Sequence, residues 1–482
     1  ARLLRQFRTE SLVLSLVGGL AGVLIAQGGI RLIVAFAGSQ IPDASQVRID
    51  PTVLQFLLVV SVGTGLLFGL APALLARTEA DTAARQRGAG AAQGRLGNIL
   101  VSLQVAIALI MLVGAGLMGR TIAKLSAVNP GFRADHLLTL EYRLPRSKYP
   151  NGAQQAQFHN EVASRVASLP GVVSAGMIRA LPFSGNGGSV NVSFADRPAA
   201  PPGTPFLARS NTVSPTYFDT VGMPMLEGRS FTLDDSARSV PVAIVSRSFA
   251  SRFWPRESAI GRQVRIEQDP MVTVVGIVPD TKYDSLTDSQ LPQIYVPYSQ
   301  APFIFATLVA RTKGDPLAYA QVIRGAIWSL DKDQPVWKIR TMESLIDSAM
   351  GDRRYLAFLL ACFSTLALVL AAIGLYGVLA YVVSQRTAEF GIRMAMGGES
   401  KDMLVLIVRK GATLTAIGLF VGSAAALLLT RLLRNQIYGV DAADPVVYSI
   451  VCLLLLSVGI LASAVPALRA SRVDQLVALR HE

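Results

Sequence analysis

Six apolar segments constrain this chain more than any other feature of its sequence. They are Leu12–Ile30, Leu54–Leu75, Ile99–Met118, Tyr355–Val383, Met403–Thr430 and Val446–Leu468. A helix of about 20 apolar residues crosses the roughly 30 Å hydrocarbon core of a bilayer. Because 51% of the 482 residues are hydrophobic and only 16% are charged, the composition excludes an ordinary soluble protein. We therefore predict a multi-span α-helical membrane protein with six transmembrane helices.

Basic residues cluster beside these segments and predict how the chain crosses the membrane. The net charge of +13 would also suit a nucleic-acid-binding protein, but basic clusters next to apolar segments are typical of cytoplasmic loops in membrane proteins. The clusters precede the first segment, lie within 77–96 and 386–401, and follow the last segment. Six crossings place all four clusters on the cytoplasmic side and the long polar insert, residues 121–352, outside.

The predicted spans divide the chain into regions. These are a transmembrane pair at 1–76, a flexible cytoplasmic linker at 77–96, single transmembrane helices at 97–120 and 353–384, a cytoplasmic helix at 385–402, a second pair at 403–470 and a cytoplasmic tail at 471–482. Within the outer insert, strand–helix–strand patterns at 134–187 and 300–342 predict a split α+β subdomain of βαβ units. The Val-, Pro- and Gly-rich stretch 188–299 predicts an inserted β-rich subdomain.

The first transmembrane pair repeats in the second. Asp50–Pro51 matches Asp444–Pro445 in register, and glycines and an arginine also match. Such in-register identity predicts a parallel duplication of one span pair. The single spans, outer insert and cytoplasmic helix that precede the second copy have no counterpart before the first. We therefore expect the natural chain to continue upstream of Ala1.

Glycines at GxxxG spacing occur in both copies of the pair. They are Gly18, Gly22, Gly65, Gly69, Gly418 and Gly422. This spacing lets two helices approach closely in lipid. Glycine is common in membrane helices, so one pair alone is weak evidence, but the recurrence favours a role in helix packing.

The charged segment between the fourth and fifth spans has helical spacing. Arg386, Glu389 and Arg393 lie three to four residues apart and would share one helix face, and Gly397–Gly398 would end the helix. A short amphipathic helix between two spans lies along the bilayer surface or against a soluble partner. A solvated loop with internal ion pairs is the alternative.

Four strings of residues resemble a known family. They are RTAEFGIRMAMG at Arg386–Gly397, SPTYFDTVGMPMLEGRSFT at Ser214–Thr232, VAIVSRSFASRFWP at Val242–Pro255 and VVGIVPDTKYDSL at Val274–Leu286. In this order they make the chain similar to the permease subunits of MacB/FtsX-type ABC transporters. It looks most like the C-terminal part of a long, internally duplicated permease of that family.

The resemblance implies a function in the bacterial plasma (inner) membrane. The matching residues Arg386, Glu389, Gly391, Arg393 and Gly397 would form a coupling helix that contacts an ABC ATPase subunit on the cytoplasmic side. ATP and magnesium would bind that ATPase, and this chain would hold no cofactor. ATP hydrolysis would move the periplasmic domain, for export or extrusion of a substrate, and a periplasmic or outer-membrane protein is a further expected partner. A scaffold like FtsX or a lipoprotein-release protein, which regulates an envelope partner without moving a solute, is the alternative.

An enzyme with its active site in the β-rich region has little support in the residues. His136, His159 and His481 have no metal-ligand spacing, and no GxxxxGK[ST] motif for ATP occurs. Asp234–Asp235 and Asp280–Tyr283 are interpreted as turn and strand-end residues. Both cysteines, Cys362 and Cys452, lie in apolar segments, which predicts neither disulfides nor a thiolate metal site. We therefore predict no catalytic, metal or nucleic-acid-binding residues in this chain.

Overall fold

The chain forms two compact units, one of residues 1–122 with 353–482 and one of residues 123–352. A computed structural model describes residues 2–37, 49–78, 85–198, 205–287, 291–385, 400–431 and 437–470. In chain order, the helices and strands are α1 (Arg2–Ala37), α2 (Pro51–Thr78), α3 (Arg85–Ser126), β1 (Leu137–Arg143), α4 (Gly152–Ala167), β2 (Val172–Ile178), β3 (Ser189–Phe194), β4 (Leu207–Val213), α5 (Tyr217–Val221), β5 (Glu227–Gly228), β6 (Val242–Ser246), α6 (Arg247–Phe253), β7 (Gln263–Ile266), β8 (Met271–Val278), β9 (Gln293–Pro297), β10 (Phe305–Thr312), a 3₁₀ turn (Pro316–Tyr319), α7 (Ala320–Leu330), β11 (Val336–Thr341), α8 (Met342–Ala349), α9 (Gly351–Gln385), α10 (Ser400–Leu429) and α11 (Pro445–Ala470).

Long apolar helices make up the first unit. Among the described residues, five stretches are long and apolar enough to cross a membrane: Thr9–Arg31, Gly97–Ser126, Gly351–Gln385, Leu404–Leu429 and Pro445–Leu468. Within α2, Pro51–Leu66 is a shorter apolar helix, so the count of six spans stays a prediction. Large apolar side chains such as Phe420 and Leu461 are exposed on these helices, as expected for surfaces that face lipid.

Helix α3 packs against three other helices of this unit. Its side chains Val105, Leu109 and Val113 form a buried cluster with side chains of α9, α10 and α11. A second cluster joins Val101 of α3 to the same three helices. Helices α1 and α2 pack against each other. The segment 77–96, predicted as a linker, contains the start of α3 at Arg85.

A sheet with two helices forms one part of the second unit. Its strand order is β11-β1-β10-β2, and all three neighbouring pairs are antiparallel. Helices α4 and α7 contribute Val162, Val166 and Ile327 to a core shared with Tyr142 and Leu308 of the strands. The order of elements along the chain, β1-α4-β2 and then β10-α7-β11, gives two strand–helix–strand units.

The other part of the second unit is a six-stranded barrel. The strands follow the order β4-β3-β7-β8-β6-β9, and β9 pairs in parallel with β4, which closes the ring. Inside it, Phe194, Val245, Phe249, Val264 and Ile294 belong to one buried cluster. The barrel joins the first sheet where Ile178 of β2 pairs with Val213 of β4.

Candidate functional site

The predicted coupling residues Arg386, Glu389, Gly391, Arg393 and Gly397 lie outside the described residues, which stop at Gln385 and resume at Ser400. The segment therefore connects the end of α9 to the start of α10. Its contact with an ATPase stays a prediction. Helices α9 and α10 carry its two ends.

Helices α9 and α10 share one buried cluster on the side of that segment. Leu375 and Leu379 of α9 pack with Ile407 and Leu414 of α10. Val101 of α3 belongs to the same cluster. Because interior side chains are closely packed, a displacement of either helix end would press on α3.

The predicted packing glycines of α10 lie directly against α3. A Cβ atom added at Gly418 would lie 2.7 Å from the carbonyl oxygen of Ser102, and one at Gly422 would lie 2.9 Å from the Cα of Ala106. Both distances are shorter than real Cβ contacts, so the two backbones touch only because these residues lack a side chain. The hydroxyl of Ser102 also donates a hydrogen bond of 3.2 Å to the carbonyl of Leu414.

The matching glycines of the first copy have different surroundings. Among the described residues, no atom lies within 4 Å of a Cβ atom added at Gly18 or Gly22. A Cβ atom at Gly65 would lie 3.3 Å from the Cα of Leu12, between α1 and α2. Gly69 belongs to the part of α2 whose surroundings are not described. The glycine pair of α10 therefore meets a neighbouring helix, whereas its counterparts Gly18 and Gly22 in α1 have no described atom close to them.

The repeated Asp–Pro pair begins a helix in both copies. The carboxylate of Asp50 accepts a hydrogen bond of 2.8 Å from the amide of Val53, and that of Asp444 accepts one of 3.0 Å from the amide of Val446. An aspartate cap followed by proline at the first helical position is a favoured helix start. The carboxylate of Asp444 is mostly buried and also pairs with Arg120 of α3.

Sequence reasoning missed this ion pair and two buried amides of α3. The side-chain oxygens of Asn98 and Gln104 are buried without a hydrogen-bond partner in the described part of the chain. Polar atoms without partners are costly in an apolar interior. A polar residue inside an otherwise apolar segment was the available signal for Gln104, and a lone arginine beyond the third span was the signal for Arg120.

His159 is a buried histidine of the second unit with both ring nitrogens satisfied. Its Nε2 lies 2.8 Å from the carbonyl oxygen of Phe303, and its Nδ1 lies 2.7 Å from the hydroxyl of Tyr142. Burial lowers the pKa of His159 to about 4. His136 is exposed and lies near the carbonyl of Gly314. The described residues contain no group of three or more His, Cys, Asp or Glu side chains that could hold a metal ion.

The acidic residues of the barrel region make structural contacts. Both carboxylate oxygens of Asp235 accept hydrogen bonds of 2.8 Å from Arg229, and these bonds hold the pKa of Asp235 below its usual value. Asp280 accepts a bond of 2.8 Å from the amide of Ser248. The hydroxyl of Tyr283 accepts a bond of 2.7 Å from Asn211, and burial raises its pKa. These residues fix turns and strand ends.

Two protein-family models match this chain. The model of the MacB-like periplasmic core domain matches residues 100–325, and the model of the FtsX-like permease C-terminal region matches residues 361–475. The first range ends in α7 of the second unit, and the second covers most of α9, the undescribed coupling segment, α10 and α11. Both ranges agree with the order of the quoted motifs.

Curated proteins with related sequences are export proteins by name. The pyoverdine export ATP-binding/permease protein PvdT of Pseudomonas syringae pv. tomato is 24% identical over 79% of this chain and 56% of its own length. The macrolide export ATP-binding/permease protein MacB of Chromobacterium violaceum is 25% identical over 55% of this chain and 42% of its own. The chain thus spans about half the length of these relatives.

Among solved structures, the periplasmic region of MacB from Actinobacillus actinomycetemcomitans aligns with 47% of this chain and 97% of its own, at 14% identity and a TM-score of 0.32. Family membership rests on the two family models and the curated relatives, and not on this structural likeness. The apolar helices and the MacB-like domain describe a membrane protein with an extracytoplasmic domain. The predicted resemblance is confirmed, and the chain belongs to the MacB/FtsX-type ABC transporter permeases.

Proposed function

We propose that this permease couples ATP hydrolysis on a separate ABC ATPase to movement of its extracytoplasmic domain, and that the movement drives export from the cell envelope. The match of residues 361–475 to the FtsX-like permease region is the observation that carries this proposal. It includes the coupling segment together with the helices on either side. The relatives named for pyoverdine and macrolide export support export in place of a purely regulatory scaffold.

The coupling segment is the proposed input. The charges of Arg386, Glu389 and Arg393 would pair with complementary groups of the ATPase, where ATP and magnesium bind. Helices α9 and α10 would receive the displacement at their ends, and the cluster that they share with α3 supports this route. The chain enters the extracytoplasmic domain from α3 and leaves it into α9, so both helices are covalently joined to the part that would move.

We place the protein in the bacterial inner membrane with the coupling segment in the cytoplasm. The basic clusters beside the spans support this orientation. A periplasmic or outer-membrane partner would receive the exported substrate.

Charge reversal in the coupling segment tests the proposal. Glu389→Lys and Arg393→Glu are expected to abolish co-purification of the ABC ATPase from membranes of the native host, while the permease still inserts. Glu161→Lys on the exposed face of α4 is the matched control and should retain the ATPase. Wild-type amounts of ATPase with both coupling-segment variants would refute the assigned contact.

A further inference from the structure

The barrel of the extracytoplasmic domain has one end filled by aromatic side chains. The ring centroid of Phe194 lies 4.6 Å from that of Phe253 and 5.2 Å from that of Trp254. The indole nitrogen of Trp254 donates a hydrogen bond of 2.8 Å to Asp196. Helix α6 thereby closes the barrel where β3 ends and β6 leads into the helix.

The opposite end of the barrel contains a cavity of about 360 Å³. The strand register places the cavity at this end. Ile266, which lines the cavity, pairs with Val192 of β3, whereas Phe194 at the filled end pairs with Val264. Ile266, Val272 and Val296 form its apolar wall. Ligand sites commonly occur at barrel mouths, and volumes of roughly 300–1,000 Å³ suit small organic molecules.

Arg179 brings a positive charge to this cavity. Its backbone amide donates a hydrogen bond of 2.9 Å to the carbonyl of Thr212, and its Nη2 donates one of 3.0 Å to the carbonyl of Ser210. The guanidinium carbon lies 4.9 Å from the ring centroid of Phe303. A guanidinium group has five N–H donors, and among the described residues only the bond to Ser210 uses one. The group is therefore held in place and still able to bind an anion.

Two residues with side-chain hydroxyl groups line the cavity together with this arginine. Ser210 and Thr212 are 9% and 2% exposed and both line the cavity. Neither hydroxyl makes a hydrogen bond within the part of the chain that the structure describes. Both hydroxyl groups can therefore donate a hydrogen bond to a bound ligand. An anion held by the arginine would supply an acceptor for both.

We propose that the barrel mouth binds a small organic carboxylate. The carboxylate contacts Arg179 and the two hydroxyl groups, and a compact apolar body packs on the valine and isoleucine wall. Asp269 also lines the rim. It is exposed, so water screens its charge and a monoanion can still bind. A dianion would be repelled more strongly, so the site favours monoanions. Every residue of the site lies in the extracytoplasmic unit, so the site does not depend on ATPase coupling.

A pair of matched probes tests the site in the full chain, held in lipid nanodiscs. Binding of para-trifluoromethylbenzoate is followed by fluorine NMR and compared with binding of the neutral para-trifluoromethylbenzyl alcohol. Empty nanodiscs correct for partitioning into lipid. The carboxylate is expected to bind saturably and at least tenfold more tightly than the alcohol.

Three variants identify the location. Arg179→Gln is expected to weaken carboxylate binding at least tenfold. Ala237→Trp, at an exposed position on the rim, should block the mouth without altering the buried wall. This variant therefore tests the location of the site even if Arg179→Gln disturbs folding. Arg265→Gln, on the outer face of β7, should bind like wild type. Equal binding of carboxylate and alcohol, unchanged binding by Ala237→Trp, or no binding above empty nanodiscs would each overturn the proposal.

Discussion

Replacing His159 with glutamine is expected to make the extracytoplasmic domain less sensitive to acid. A carbonyl oxygen can only accept a hydrogen bond, so the neutral ring carries its proton on Nε2, toward Phe303. Its Nδ1 then accepts from the hydroxyl of Tyr142. Burial holds the pKa of His159 at about 4 in the folded domain, against 6.5 for an ordinary histidine. The unfolded chain therefore takes up this proton first as the pH falls.

The size of the effect follows from the difference between the two pKa values. Because the folded pKa is lowered, the free energy of unfolding is fully maintained above about pH 6.5 and falls until about pH 4. At about 1.4 kcal/mol for each pKa unit, the total loss is about 3 kcal/mol. About 2 kcal/mol of this would be lost between about pH 7 and pH 5. Glutamine has no imidazole to protonate, so the variant does not show this loss of free energy at any pH.

Hydrogen exchange of α4 and β1 in the full chain measures the local opening free energy. After correction for intrinsic exchange rates, the value for wild type should fall by about 2 kcal/mol more than that for His159→Gln between about pH 7 and pH 5. The carboxylates titrate in both proteins, so their contribution cancels in the comparison. His136→Gln is the matched control, because the ring of His136 is exposed, and it should behave like wild type. An equal fall in wild type and His159→Gln would refute the assigned burial.

Three further substitutions test the packing. Gly422→Leu should force α10 away from α3 and lower stability by about 1–3 kcal/mol, which thermal unfolding in nanodiscs would show as a lower midpoint temperature. Gly18→Leu is the control and should have little effect. Equal shifts in the two variants would contradict the contact. A double-mutant cycle of Arg120→Ala and Asp444→Asn should give a coupling energy of about 0.2–1 kcal/mol, because the arginine is partly exposed. Strictly additive effects would contradict the ion pair. Gly131→Ala should destabilise the extracytoplasmic domain by about 1–3 kcal/mol, because φ is +95° at this residue and a carbonyl oxygen occupies the Cβ position. Unchanged hydrogen exchange in the variant would contradict the predicted destabilisation.

Long apolar helices and individual strands were predictable from sequence because their signals are local. The fifth predicted span, Met403–Thr430, agrees closely with the apolar stretch Leu404–Leu429. Strand β8, Met271–Val278, lies within the stretch 188–299 that was predicted to be β-rich. A continuous apolar segment must lie in lipid or in a core, and side-chain alternation specifies a strand with few alternatives.

Partners distant in sequence were not predictable. The closure of the barrel requires Arg209 to pair with Gln293, and no local pattern specifies which strand lies beside which. The contact of Arg120 with Asp444 and the position of Arg179 at the barrel mouth arise in the same way. The repeat predicted similar glycines but not their surroundings, because the neighbour of Gly418 is α3 and no described atom lies close to Gly18.

The contact between the coupling segment and an ABC ATPase is measured most directly by site-specific photo-crosslinking in membranes of the native host. A photoreactive amino acid at position 389 is expected to give a covalent adduct with an ABC ATPase, identified by mass spectrometry and altered in yield by ATP. The same group at position 161, on the exposed face of α4, should give none. Adducts at position 389 with lipid alone, or equal adducts at both positions, would contradict the proposed coupling.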